Sequence, residues 1–171
     1  MLKAAGVILI LFGCGGLGWH AVLRHTARIK MLAELEQALQ YLYGEIEYSG
    51  SDMMELLDRL AARQGYFGDL WKNMGDCLRS YDGKGFFYHW KRELHKLGTA
   101  GCLKRGDMEL LCSIGENLGN MDRQTQLHTL EIFQVRLREI LLQARQEYGE
   151  KVKVSGIVWI TAGLFLALVL V

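Results

Sequence analysis

Residues 4–30 read AAGVILILFGCGGLGWHAVLRHTARIK, and two unrelated folds compete for them. Gly13, Gly15 and Gly18 spell G-x-G-x-x-G directly behind the apolar run 7–12. A strand, a glycine turn and a helix in that order would cradle the pyrophosphate of a dinucleotide, with Glu34 or Glu36 near the ribose. The same stretch contains no Asp, Glu, Lys or Arg from residue 4 to residue 23. As a helix rising about 1.5 Å per residue it would be roughly 30 Å long, the depth of a bilayer core.

The residues downstream decide between them. A dinucleotide fold needs a second strand, whereas residues 28–36 (RIKMLAELE) are helix formers. Glycine is common in membrane helices because it permits close helix contact, and Cys14 and Gly18 form a small-xxx-small pair. At the other end, residues 154–171 (VSGIVWITAGLFLALVLV) form a second run without charge. It is too long for a buried strand and has no polar face. The sequence therefore predicts transmembrane helices at 4–23 and 154–171 around a central domain, 24–153. Gly15 and Gly18 become candidates for helix contact within the membrane.

Charge gives the expected orientation. Arg24, Arg28 and Lys30 follow the first run, Arg145, Lys151 and Lys153 precede the second, and only Lys3 lies beyond the outer ends. Lys and Arg near span ends are retained in the cytoplasm, so the central domain is expected there and both termini across the membrane. A cleaved signal peptide is the rival, but no A-x-A site follows the apolar run and the positive charge is on its wrong side. All 19 acidic residues and all but one of the 20 Lys and Arg lie in the central domain. That balance disfavours a nucleic-acid surface, which needs clustered positive charge.

The central domain reads as all-α. There is no proline, and no segment alternates apolar and polar residues. Ile29, Leu32, Leu35, Leu39, Leu42 and Ile46 form a stripe at helical spacing. Ser51 is placed to cap a second helix carrying Leu56, Leu57 and Leu60. Further helices are expected at 69–80, 86–97 and 108–118, the last capped by Asp107, and from 120 to about 153. About six helices make one bundle.

Little of this carries chemistry. Among His20, His25, His89, His95 and His128 there is no H-E-x-x-H and no pairing with cysteine at ligand spacing, so solvated or interface histidines are expected. Cys14, Cys77, Cys102 and Cys112 are too far apart for a Cys-x-x-Cys pair; Cys14 would sit in lipid, and the other three read as reduced thiols of a cytosolic domain. No G-x-S-x-G elbow or G-x-x-x-x-G-K-[ST] loop is present, so the chain is not itself an ATPase. No cofactor or metal is expected. Gly115, in mid-helix, costs about 1 kcal/mol relative to alanine. It implies close approach of another backbone, either within the domain or from a partner.

Asp107, Leu111, Gly115, Gly119, Asp122 and Gln126, at spacings of four, four, four, three and four, resemble the signature of the stage III sporulation protein AB family. Glu45-Ile46-x-Tyr48-x-x-Ser51, followed by Met53 and a leucine-rich helix, resembles that family's first helix-turn-helix, with Ser51-Asp52 where the family usually has Thr-Pro. The resemblance covers essentially the whole chain. It implies a likeness to the cytoplasmic helical domain of type II secretion system F proteins and a place in the membrane around the forespore. It also implies a secretion-type ATPase partner, stage III sporulation protein AA, and other stage III sporulation channel proteins. Glu45, Tyr48, Asp107, Gly115, Gly119, Asp122 and Gln126 would shape helix junctions and partner interfaces. The expected function is a non-enzymatic membrane platform, with homo-oligomerisation allowed. Two rivals stay open: a membrane-tethered regulator that recruits a soluble protein, and a small membrane enzyme using Glu45, Glu47 or His128.

The topology is directly testable. In a chain whose native cysteines are replaced, Leu2→Cys or Val171→Cys is expected to react with an impermeant maleimide only from the non-cytoplasmic side. Labelling from the cytoplasm overturns the orientation.

Overall fold

The computed structural model describes residues 2–50, 52–63, 65–80, 83–99, 101–118 and 123–170, with side-chain environments from residue 25 to residue 150. Six helices follow in order: α1 (Leu2–Tyr48), α2 (Met53–Ala61), α3 (Gly68–Ser80), α4 (Phe86–Thr99), α5 (Arg105–Leu118) and α6 (Arg123–Leu170). No strand occurs among the described residues. The apolar runs are helical in backbone over 4–23, within α1, and 154–170, within α6, but their side chains, including Gly15 and Gly18, lie outside the described residues. Among the described residues no helix is long and apolar enough to cross a membrane. Contacts divide the chain into two compact units: Lys30–Leu141, and Met1–Ile29 with Leu142–Val171.

The unit Lys30–Leu141 is a helical bundle. Within it α1 and α6 run antiparallel, as their cross-links show. Arg138 Nε lies 3.2 Å from Glu36 Oε1, Gln134 Nε2 donates to the Leu39 carbonyl at 3.2 Å, and the Tyr43 hydroxyl donates to Glu131 at 3.1 Å. The α1 stripe expected from the sequence is inside, with Leu32, Leu35, Leu39, Leu42 and Ile46 all buried. From α6 come Leu130, Phe133, Leu137 and Leu141. The four short helices pack consecutively, α2 on α3, α3 on α4 and α4 on α5, each burying one face as a surface helix does.

The centre of this unit is aromatic. Phe67 and Trp71 have ring centroids 6.4 Å apart, Trp71 and Trp90 5.6 Å, and Phe86 stacks on Trp90 at 5.9 Å. Trp90 is fully buried, and its indole N–H donates to the carbonyl of Leu111 at 2.8 Å. A buried indole needs such a partner. The ring reaches α5 because Gly115 has no side chain. A Cβ there would stand 2.0 Å from Trp90 Cδ1 and 2.2 Å from its Nε1. The close approach expected at Gly115 therefore occurs inside the domain, and it is made by an aromatic ring rather than by another backbone.

Three further expectations change. Helix α5 begins at Arg105, so Asp107 lies within its first turn instead of ahead of it at the cap. Asp52 occupies the N-cap of α2, extended at φ −65° and ψ 144° and without a side-chain cap bond, while Ser51 lies outside the described residues. His89 is buried, with the Tyr88 ring edge-on to it at 5.5 Å, because it shares the inward face of α4 with Trp90. No disulfide joins Cys77, Cys102 and Cys112.

Gly115→Ala tests the α4–α5 contact. Alanine gains about 1 kcal/mol in helix propensity, but overpacking a rigid indole costs about 1–3 kcal/mol or more. A net loss of stability is expected in urea unfolding of the detergent-solubilised chain, with partial recovery in Trp90→Leu/Gly115→Ala.

Candidate functional site: the locked helix junctions

What the polar side chains of the described residues build is junctions. At the start of α5, Asp107 is the third helical residue and is buried. Its Oδ2 accepts the backbone N–H of Lys104 at 2.8 Å, the acid half of a capping box, which satisfies a donor that the helix leaves open. At the end of α5, Gln126 of α6 donates its amide to the Leu118 carbonyl at 3.2 Å. Asp107, Gly115 and Gln126 thus fix the beginning, middle and end of one helix. Gly119 and Asp122 lie outside the described residues.

The α1–α2 junction is ionic. Glu45 Oε2 accepts the Ser49 hydroxyl at 2.8 Å, and its Oε1 lies 3.4 Å from Arg59 Nη1. Arg59 also reaches Glu55 at 2.7 Å. Gly50, at φ 60°, turns the chain out of α1 while its N–H and that of Ser49 share the Glu45 carbonyl. Tyr48, by contrast, is 84 % exposed and points away from this junction.

Several locking residues carried no readable signal in the sequence. Arg123, the first residue of α6, donates through Nε to the Ile46 carbonyl at 2.9 Å and through Nη2 to that of Glu47. These carbonyls belong to the last turn of α1, which favours a cation. Glu34, set against a ribose by the glycine-loop reading, accepts the backbone N–H groups of Tyr66 and Phe67 at 2.8 and 2.9 Å. It fastens the α2–α3 turn, and Gly65 leaves room for it: a Cβ there would lie 2.3 Å from Glu34 Oε1.

Glu93 on α4 is a buried carboxylate at the centre of a polar network. It accepts from Asn73 at 2.9 Å, Lys96 at 2.8 Å and Arg92 at 3.2 Å. Burial pushes its pKa up, but the bonds from Lys96, Asn73 and Arg92 outweigh burial and leave it below the ordinary carboxylate range. Among the described residues no three His, Cys, Asp or Glu side chains are arranged to hold a metal ion.

The described residues thus form an all-α bundle whose polar side chains lock helix ends. The chain belongs to the stage III sporulation protein AB family, whose model matches residues 3–171. Stage III sporulation protein AB of Bacillus subtilis (strain 168) is 26% identical over 171 residues, covering 99% of each protein. A solved structure of stage III sporulation protein AB (SpoIIIAB) matches with a TM-score of 0.65 and 25% identity, over 72% of this chain and 97% of that one.

The Glu93 network makes stability depend on pH in a defined direction. The folded pKa is below the unfolded one, so the unfolded chain takes up the proton first. The contribution of Glu93 is complete at neutral pH and is lost as the pH falls below about 4.3. Glu93→Gln is expected to lower stability at neutral pH and to flatten the acid limb of a stability–pH profile. An unchanged acid limb would remove Glu93 from that role.

Proposed function

We propose that the protein is a non-enzymatic membrane platform in the stage III sporulation apparatus of an endospore-forming bacterium. Its helical unit faces the mother-cell cytoplasm and couples a secretion-type ATPase to channel subunits in the membrane around the forespore. Family membership over residues 3–171 carries this reading, because it brings with it the sporulation context. Three features of the chain support it. The runs 4–23 and 154–171 have the length and apolarity of membrane helices, and their basic flanks face the central domain. The resemblance extends to the cytoplasmic domain of type II secretion system F proteins, which work beside an ATPase without being one. The polar side chains described above are spent on holding helices together, which suits a body that transmits force between partners.

In this reading Asp107, Gly115 and Gln126 are architectural and set the shape that partners meet. Glu45 and Arg59 hold the first helical turn of that shape, and the exposed Tyr48 at its corner is free to contact a partner. Gly15 and Gly18 serve helix contact in the membrane, with the second span or with a channel subunit.

Capture of the full-length chain from membranes is the test. The secretion-type ATPase that the family resemblance implies is expected to co-purify, and Tyr48→Ala to reduce recovery several-fold without loss of helical circular dichroism. Failure of the wild-type chain to retain the ATPase in both membranes and detergent sinks the coupling role.

A further inference from the structure

Helix α6 is apolar on two sides, where a surface helix needs only one. Opposite the buried Leu130, Phe133 and Leu137, Ile132 is 52 % and Val135 61 % exposed. Three residues apart, these two form one outward stripe. They share the open outer surface of this one helix with Glu131, Arg136 and Glu139. With Ile132 and Val135 as the a and d positions of a heptad, Glu131 falls at g and Arg136 at e, flanking the stripe with opposite charge on opposite sides. Glu131 is held by the Tyr43 hydroxyl at 3.1 Å. Arg136 has no ion-pair partner among the described residues, whereas Arg59, Arg79, Arg105 and Arg138 each lie against a carboxylate.

We propose that this stripe is a self-association seam: α6 of a second copy lies against it in parallel, about a twofold axis, with Ile132 on Ile132 and Val135 on Val135. Glu131 of each copy then meets Arg136 of the other, the g-to-e pairing that sets orientation in parallel helix pairs. An antiparallel partner pairs g with g and e with e, so Glu131 and Arg136 cannot meet. The charge pattern thus selects both the occupant and its direction. A twofold seam is also the commonest and simplest closed assembly.

Glu139 occupies the next a position and would face its own copy, which ends the apolar seam after one heptad. A contact this short is weak in solution. Anchoring in one membrane raises the effective concentration and requires the parallel sense. In that respect the seam rests on the membrane reading above, and membrane extraction of the same variants tests that reading separately.

The experiment is disulfide trapping of the full-length chain in native membranes, with Cys14, Cys77, Cys102 and Cys112 replaced. Val135→Cys and, as a second position, Ile132→Cys are each expected to give a homodimer on mild oxidation. Adding Arg136→Glu should cut the yield at least several-fold by opposing it to Glu131, and Glu131→Arg/Arg136→Glu should restore it. Glu139→Leu should raise it. The seam is overturned if both cysteine variants stay monomeric while membrane-bound and helical, or if Arg136→Glu traps as well as its parent. Adducts formed only with a different protein in sporulating cells overturn it too.

Discussion

The bundle depends on one contact between an aromatic ring and the absence of a side chain. Trp90 is the largest fully buried residue of the helical unit, and it presses its indole onto the bare backbone at Gly115 while donating to the carbonyl of Leu111. That carbonyl sits on the exposed strip of backbone which the glycine opens, so one missing methyl group supplies both the space and the acceptor. The same ring stacks with Phe86 and touches Trp71, and through Trp71 it reaches Phe67 and the turn that Glu34 fastens. Helices α3, α4 and α5 thus register against one side chain. Dispersion over such an aromatic chain is large in sum, and it falls off steeply if the ring is displaced by even half an ångström.

Around that centre the polar residues do one kind of work. Asp107, Gln126, Arg123 and Glu34 each meet backbone groups that a helix end or turn would otherwise leave open. Satisfying buried ends from neighbouring helices adds modestly to stability bond by bond, but leaving them open would cost more. It also fixes where each helix begins relative to the next. A surface built from such elements keeps its shape under load, which is what the proposed coupling role demands.

The fold class was legible because helical periodicity in α1 and α6 is long and regular, and Leu32, Leu35, Leu39 and Leu42 are buried as their spacing implies. The special status of Gly115 was legible too, since glycine in mid-helix is a cost without local return. Which group filled the space was not, because Trp90 lies on another helix and nothing in its neighbourhood marks it apart from Trp71. Helix ends were misplaced by up to three residues at α5, where Asp107 works from inside the first turn instead of ahead of it; either position uses the same short acid. Arg123 and Glu34 were invisible for a further reason. Their partners are backbone atoms 77 and 33 residues away, and backbone acceptors leave no mark in the residue alphabet.

Within the unit Lys30–Leu141 the cross-links between α1 and α6 join residues 76 to 102 positions apart in the chain, whereas α2, α3 and α4 each pack on the next helix in sequence. During synthesis at about 5–20 residues per second, α1 therefore waits several seconds for α6 to cover what the short helices leave open of its leucine stripe, while those helices can settle as they emerge. Contacts of such separation close slowly and late. The nascent chain is most exposed to aggregation in that interval, and α6 is the element that ends it.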